Sequence, residues 1–262
     1  LAGLLGDLAD LVLPAPCAGC EAERVPLSFG VCASCAVRLE ALRPFRTVPD
    51  PPPPGLPRCV AVGAYGSALR GVLLNYKEKG RHRLAGPLGA LLATAVAAIA
   101  PRGAPVILVP VPSTAAAARE RHGDHMRRLA AHAVRRLRAA GWDADVSPQL
   151  EALPRPDSTS LSVAGRRAAA EDSLRIRRAR IGVLRRAAPR KGTLVVVDDI
   201  VTTGATLAAA TGRLEEAKMQ VAGAAVLAAT ELRRSTAVGF GGLPPGGTEK
   251  VERRGSGIPN EG

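Results

Sequence analysis

The sequence predicts an α/β fold: a doubly wound, mainly parallel sheet, with a small N-terminal domain held by four cysteines. Short β-branched apolar runs alternate with Ala- and Leu-rich helical patterns, as parallel-sheet folds require. The runs at 59–64, 105–111, 194–197 and 221–227 are nearly continuous in apolar residues, so they suit strands buried on both faces. Two Cys-x-x-Cys pairs, Cys17/Cys20 and Cys32/Cys35, sit in a stretch too short to bury a core of its own.

The chain of 262 residues is long enough for one α/β domain and a small satellite. Apolar residues make up 47%, while aromatics make up only 2%, so the core must be built from Ala, Val and Leu. So few aromatics argue against a base-stacking nucleic-acid surface. The net charge of +13 fits either a solvated basic surface or an anionic partner such as pyrophosphate or nucleic acid. The longest strongly apolar run, 88–100, is far short of a membrane span and ends at Pro101. Residues 1–13 carry Asp7 and Asp10 and lack a basic start, so they do not read as a signal peptide; a cytoplasmic protein without membrane contact is expected.

In chain order, residues 1–13 place Leu1, Leu4, Leu5, Leu8, Leu11 and Val12 at helical spacing. Eleven residues separate the two cysteine pairs. Each pair can aim two thiolates at one point, and four thiolates in a tetrahedron suit structural zinc with no open position. Disulfides or plain thiols are the alternatives; without a secretion signal, disulfides are disfavoured. The first domain is therefore 1–45, with a zinc-ribbon-like cluster of Cys17, Cys20, Cys32 and Cys35. The Pro-rich run over 46–58 reads as a stiff linker, and the main domain as 59–231. Cys59 is expected to be a buried free thiol. In residues 65–83 the first part suits a helix with Leu69, Val72 and Leu73 inward, and the second is a basic turn whose cations could cover a substrate's phosphates. His122 and His125 read as surface or loop histidines, because no carboxylate set surrounds them at ligand spacing. Residues 155–170 are polar and turn-rich, as a loop closing over a substrate would be. The arginine-dense stretch 175–190 suggests no specific role, and 232–262 reads as a disordered tail.

The most informative stretch is 193–207. An apolar run leads to Asp198 and Asp199, then to Thr202-Thr203-Gly204-Ala205-Thr206, then to a helical pattern through Lys218. A strand, a small-residue turn and a helix N-terminus make an anion site, to which threonine hydroxyls add donors. Like charges repel, so the Asp pair is not the anion's seat. Carboxylates beside a phosphate accept hydrogen bonds from sugar hydroxyls or hold a divalent cation. A phosphate plus a vicinal diol is a phosphorylated ribose.

These residues resemble the phosphoribosyl-pyrophosphate (PRPP) loop of type I phosphoribosyltransferases, over all thirteen positions from Val195 to Leu207. A four-cysteine head, a linker and such a domain together resemble the ComF family, named for a role in competence for DNA uptake. Tyr65-Gly66-x-x-Leu69-Arg70 and Tyr76-Lys77-x-x-Gly80-Arg81 are similar to that family's start of the domain. Val109-Pro110-Val111-Pro112 with Arg119-x-Arg121 resembles its pyrophosphate loop, and Leu161-Ser162-x-x-x-Arg166 its flexible loop. Where the family commonly has Gly-Phe-Asn-Gln, this chain has His122-Gly123-Asp124-His125; Ser158 and Ala169 replace a usual Gln and Asn.

The resemblance implies Mg²⁺-dependent transfer of a 5-phosphoribosyl group from PRPP to a nitrogenous acceptor. It implies that Thr202, Thr203, Gly204, Ala205 and Thr206 hold the 5′-phosphate. Asp198 and Asp199 would bind the ribose hydroxyls, and Arg119 and Arg121, with Lys77, the departing pyrophosphate. The departures leave a second reading: a PRPP- or nucleotide-sensing module that docks on a competence or DNA-processing protein, or on single-stranded DNA.

Overall fold

A computed structural model of the chain describes residues 15–120, 123–153, 173–177 and 192–230. The expected helix at 1–13, Arg121 and His122, the flexible loop at 155–170, most of the arginine-dense stretch and the tail lie outside the described residues.

The head opens with the Cys17–Cys20 turn and a two-stranded ribbon, β1 (Leu27–Ser28) and β2 (Val31–Cys32), paired antiparallel. Helix α1 (Ala33–Glu40) follows at once, so Cys35 lies in its first turn. The main sheet has six strands. In chain order they are β3 (Phe45–Thr47), β4 (Cys59–Ala64), β5 (Val106–Pro110), β6 (Ala144–Val146), β9 (Thr193–Val201) and β10 (Val221–Ala229). Their spatial order is β3-β4-β10-β9-β5-β6. All neighbours are parallel except β3 on β4. Strands β7 (Leu150–Ala152) and β8 (Leu174–Ile176) form a separate antiparallel pair.

Five more helices complete the described fold: α2 (Ser67–Glu78), α3 (Ala85–Ala97), α4 (Ala115–Glu120), α5 (His125–Ala139) and α6 (Ala205–Glu216). One face of the sheet packs on α2, α3 and α5 through Leu69, Val72, Leu88, Leu92, Leu129 and Leu137. The other packs on α6 and the β7–β8 pair through Leu207, Leu214, Leu150 and Leu174. Val195, Val196 and Val197 are fully buried in the central strand, contributing to the two faces in alternation. Each such side chain contributes roughly 1.5–3 kcal/mol of burial.

The chain therefore leaves adjacent strands β5 and β9 toward opposite faces, with α5 on one and α6 on the other. In an open parallel sheet the crevice at such a switch point is where ligands bind.

Three expectations are revised. The segment 46–58 is not simply a spacer: its start is strand β3, hydrogen-bonded to the sheet edge. The head is not held apart either. Cys17, Ala18, Val31, Cys35 and Leu39 share one buried cluster with α2 and α3. The strand after residue 193 does not stop before the Asp pair but runs through it to Val201, and the following helix ends at Glu216. Cys59 is buried, as expected, and burial pushes its thiol up to about 12.

Candidate functional site

The site is built on the carboxyl end of β9. Asp198 and Asp199 are adjacent there, and their carboxyl groups interact with each other. Asp199 is buried, and its Oδ2 receives two donors: Lys77 Nζ at 2.8 Å and His125 Nε2 at 3.2 Å. Burial alone would raise the Asp199 carboxyl. The His125 hydrogen bond and the Lys77 charge outweigh it and hold the group well below the usual carboxylate range. Asp198 goes the other way. Burial raises it, and the neighbouring Asp199 charge raises it further, against the opposing Asp199 N–H and Lys77. The Asp199 backbone N–H donates to Asp198 Oδ1 at 2.9 Å. The two carboxylates are thus unlike: one is firmly ionised, and the other holds its proton to higher pH.

After Val201 the chain turns through the exposed Thr202 and Thr203 to Gly204, with φ +74, a conformation that favours glycine. Gly204 is the residue before the first turn of α6, and Thr203 Oγ1 accepts the Ala205 N–H at 3.4 Å. Thr206 lies in the first turn of α6. The Pro-rich segment lies against this turn: a Cβ on Gly204 would meet Leu56 Cδ1 at 2.9 Å and Pro49 Cγ at 3.2 Å. The turn amides thus lie at the N-terminus of α6, and the Pro-rich segment walls one side of that end.

The second wall is the loop after β5. Val111 N–H donates to Val197 O at 2.9 Å, tying that loop to β9. Ser113 Oγ lies 3.0 Å from His125 Nδ1. Asp124 caps α5 by accepting the Arg127 N–H at 3.0 Å, and Tyr76 OH donates to His125 O at 2.9 Å. His125 is therefore fixed at the first turn of α5, and it is buried. The expectation of a surface histidine is wrong for His125. The signal was present in the sequence: Asp124 is a helix-capping type just before an apolar helical period, which puts the next residue at a helix start on the crevice side.

Of the residues singled out by sequence, the structure brings Asp199 and Lys77 into contact and puts Asp198 beside them. Lys77 lies near the end of α2, and its ammonium is on Asp199. Thr202 to Thr206 sit at the α6 end of the same strand. Arg119 is exposed at the end of α4, and no contact joins it to the Asp pair among the described residues.

The four cysteines meet at one point, all four Sγ atoms within 4.8 Å of one another. Cys20 and Cys32 Sγ are 3.8 Å apart. A tetrahedral ion with ~2.3 Å metal–sulfur bonds sets its sulfurs about 3.8 Å apart, so the cluster fits Zn²⁺. Cys32 and Gly19 N–H groups donate to Cys17 Sγ at 3.2 and 3.4 Å. Burial works to raise Cys17, but the backbone N–H groups of Cys32, Cys20 and Gly19 prevail and bring it down to about 6. A Cβ at Gly19 would come 2.7 Å from Cys35 Sγ, so the turn needs glycine there. The head is locked to α2 and the turn after it: Asn75 Nδ2 donates to Ala18 O at 3.1 Å, and Arg81 Nη1 to Pro16 O at 2.7 Å.

Comparison with known protein families agrees with this geometry. The phosphoribosyl transferase domain model matches residues 145–237, a stretch that holds β9, the Asp pair, the turn and α6. No curated protein matches the chain. Fold, turn and match together define a phosphoribosyltransferase-like α/β domain, carrying a four-cysteine cluster positioned to bind a metal. Among the described residues, no helix is long and apolar enough to cross a membrane.

Proposed function

We propose that this protein binds PRPP across the β5–β9 crevice and transfers its 5-phosphoribosyl group to a nitrogen nucleophile, releasing pyrophosphate. The observation that carries the reading is the Asp198–Asp199 pair running directly into the Thr202–Thr206 turn at the N-terminus of α6, inside the matched domain. The turn amides and threonine hydroxyls hold the 5′-phosphate. Asp199, fixed from one side by Lys77 and His125, accepts a ribose hydroxyl. Asp198, leaning toward its protonated form, donates or accepts at the other hydroxyl. The acceptor nitrogen attacks C1′ while the C1′–oxygen bond to pyrophosphate breaks, its electron pair leaving with the pyrophosphate. The nitrogen then loses a proton to solvent or to the leaving group. Alignment and charge stabilisation carry such a step. Arg119 and Arg121 are the proposed cations for the pyrophosphate.

Among the described residues, Lys77 and His125 both donate to Asp199 Oδ2, so that oxygen is not free for Mg²⁺. The ion fits better as a partner of the substrate's own pyrophosphate oxygens, where it would neutralise leaving-group charge. Zn²⁺ at the four cysteines is structural in this reading, because four thiolates leave no open position. The head-plus-domain arrangement also supports a ComF-type setting, in which a DNA-handling partner would use the product or the bound state. Pyrophosphate release from PRPP and Mg²⁺ across a panel of nucleobases tests the transfer. Steady release with one base supports it; PRPP binding without release from any base supports the sensing module.

A further inference from the structure

We infer that His125 is a positioning residue that joins the two ends of the PRPP site, and this inference rests on the reading of the crevice given above. Three observations place it there. Its Nε2 meets Asp199 Oδ2 at 3.2 Å, on the proposed ribose side. Its Nδ1 meets Ser113 Oγ at 3.0 Å, on the loop that follows β5. Its backbone is fixed by Tyr76 and by the Asp124 cap. A buried imidazole with both nitrogens engaged links β9 to the β5 loop through side chains alone.

Hydrogen-bond inventory gives the link a direction. An ionised carboxylate only accepts, so Nε2 carries the hydrogen toward Asp199. The other nitrogen, Nδ1, faces the Ser113 hydroxyl, which can donate or accept. Lys77 and His125 share the same oxygen, Oδ2. The two donors thus hold the Asp199 carboxylate by one oxygen and fix its orientation. The same ring sets the rotamer of Ser113. Binding at the ribose end and order in the β5 loop are therefore coupled through one residue.

The imidazole can be replaced one arm at a time. The amide of Gln approximates the reach of Nε2, and that of Asn the reach of Nδ1. Calorimetry of PRPP with Mg²⁺ binding to the full chain tests the link, with thermal melts as a folding control. For wild type, His125→Ala, His125→Gln, His125→Asn and Ser113→Ala, the expected results are as follows. His125→Ala weakens PRPP binding tenfold or more. His125→Gln restores most of that loss, and His125→Asn does not. Ser113→Ala weakens binding in the wild-type background but has no further effect in His125→Ala. Additive effects of the two substitutions, or equal loss in the Gln and Asn variants, would overturn the link while leaving PRPP binding intact. Absence of PRPP binding by the wild-type chain would sink both the link and the reading it rests on. If His125→Ala does not fold, the Gln, Asn and Ser113 variants carry the same comparison.

Discussion

Lys77 on α2 places its ammonium 2.8 Å from Asp199 Oδ2 on β9, so the helix that carries the cysteine head also sets the charge of the central carboxylate. The pair is partly open, with the Lys77 side chain 28% exposed, so its worth lies below that of a fully buried ion pair. Lys77→Met should raise the Asp199 carboxyl toward its ordinary range and weaken PRPP binding about tenfold, or about 1.4 kcal/mol. Calorimetry at neutral pH reads this directly.

The two carboxylates should respond oppositely to pH. Asp198 has a raised native value, so its contribution to stability is complete below about pH 4, where the unfolded chain is also protonated. It is lost as pH rises from there through the native value. Asp199 has a depressed value, so its contribution is present above about pH 4 and fades as pH falls below that. Asp198→Asn should therefore melt higher than wild type at neutral pH, with the gain shrinking as pH approaches 4. Asp199→Asn should melt lower at neutral pH. Thermal melts across pH give the answer, and an Asp198→Asn variant less stable at neutral pH would contradict the assignment. A gain in stability with a loss of ligand binding is the usual mark of a functional site.

Gly71 is the joint between head and domain. A Cβ there would lie 2.5 Å from Gly19 O and 2.8 Å from Ala18 O, both backbone atoms that cannot swing away. Gly71→Ala should cost about 1–3 kcal/mol by overpacking. The variant should keep its bound zinc, measured by metal analysis, while its melting temperature falls. Loss of zinc with an unchanged melt would point to a different role for Gly71.

Removing the metal should go further. A four-thiolate site supplies folding free energy to the segment that holds it. The full chain should bind one zinc per molecule, and a strong chelator should lower its melting temperature. Because the cluster shares the core with α2, chelation should also weaken PRPP binding through Lys77. Cys35→Ser should reproduce the effect.

Much of this was legible in the sequence because it follows from short patterns. Val195 to Val197 announce a strand buried on both faces, and Thr202 to Gly204 announce the turn before a helix by residue type alone. The cysteine pairs announce a cluster by spacing. What was not legible depends on distant parts of the chain meeting. His125 looks like one loop histidine until β9 and α5 bring it to Asp199. Gly71 looks like a weak point in a helix until the Cys17–Cys20 turn arrives against it. The Pro-rich run reads as a spacer because nothing local shows that Pro49 and Leu56 rest on Gly204. Parallel pairing of β5 with β9, separated by more than eighty residues of chain, is what brings the loop before His125 up to Asp199.

The central claim is that the β9–α6 turn and its carboxylates hold PRPP. Calorimetric titration of PRPP with Mg²⁺ into wild type, Asp199→Asn and Thr203→Ala tests it most directly. The account predicts one site in the wild type, with affinity reduced tenfold or more in each variant while the fold remains intact by circular dichroism. Unchanged affinity in both variants would contradict it.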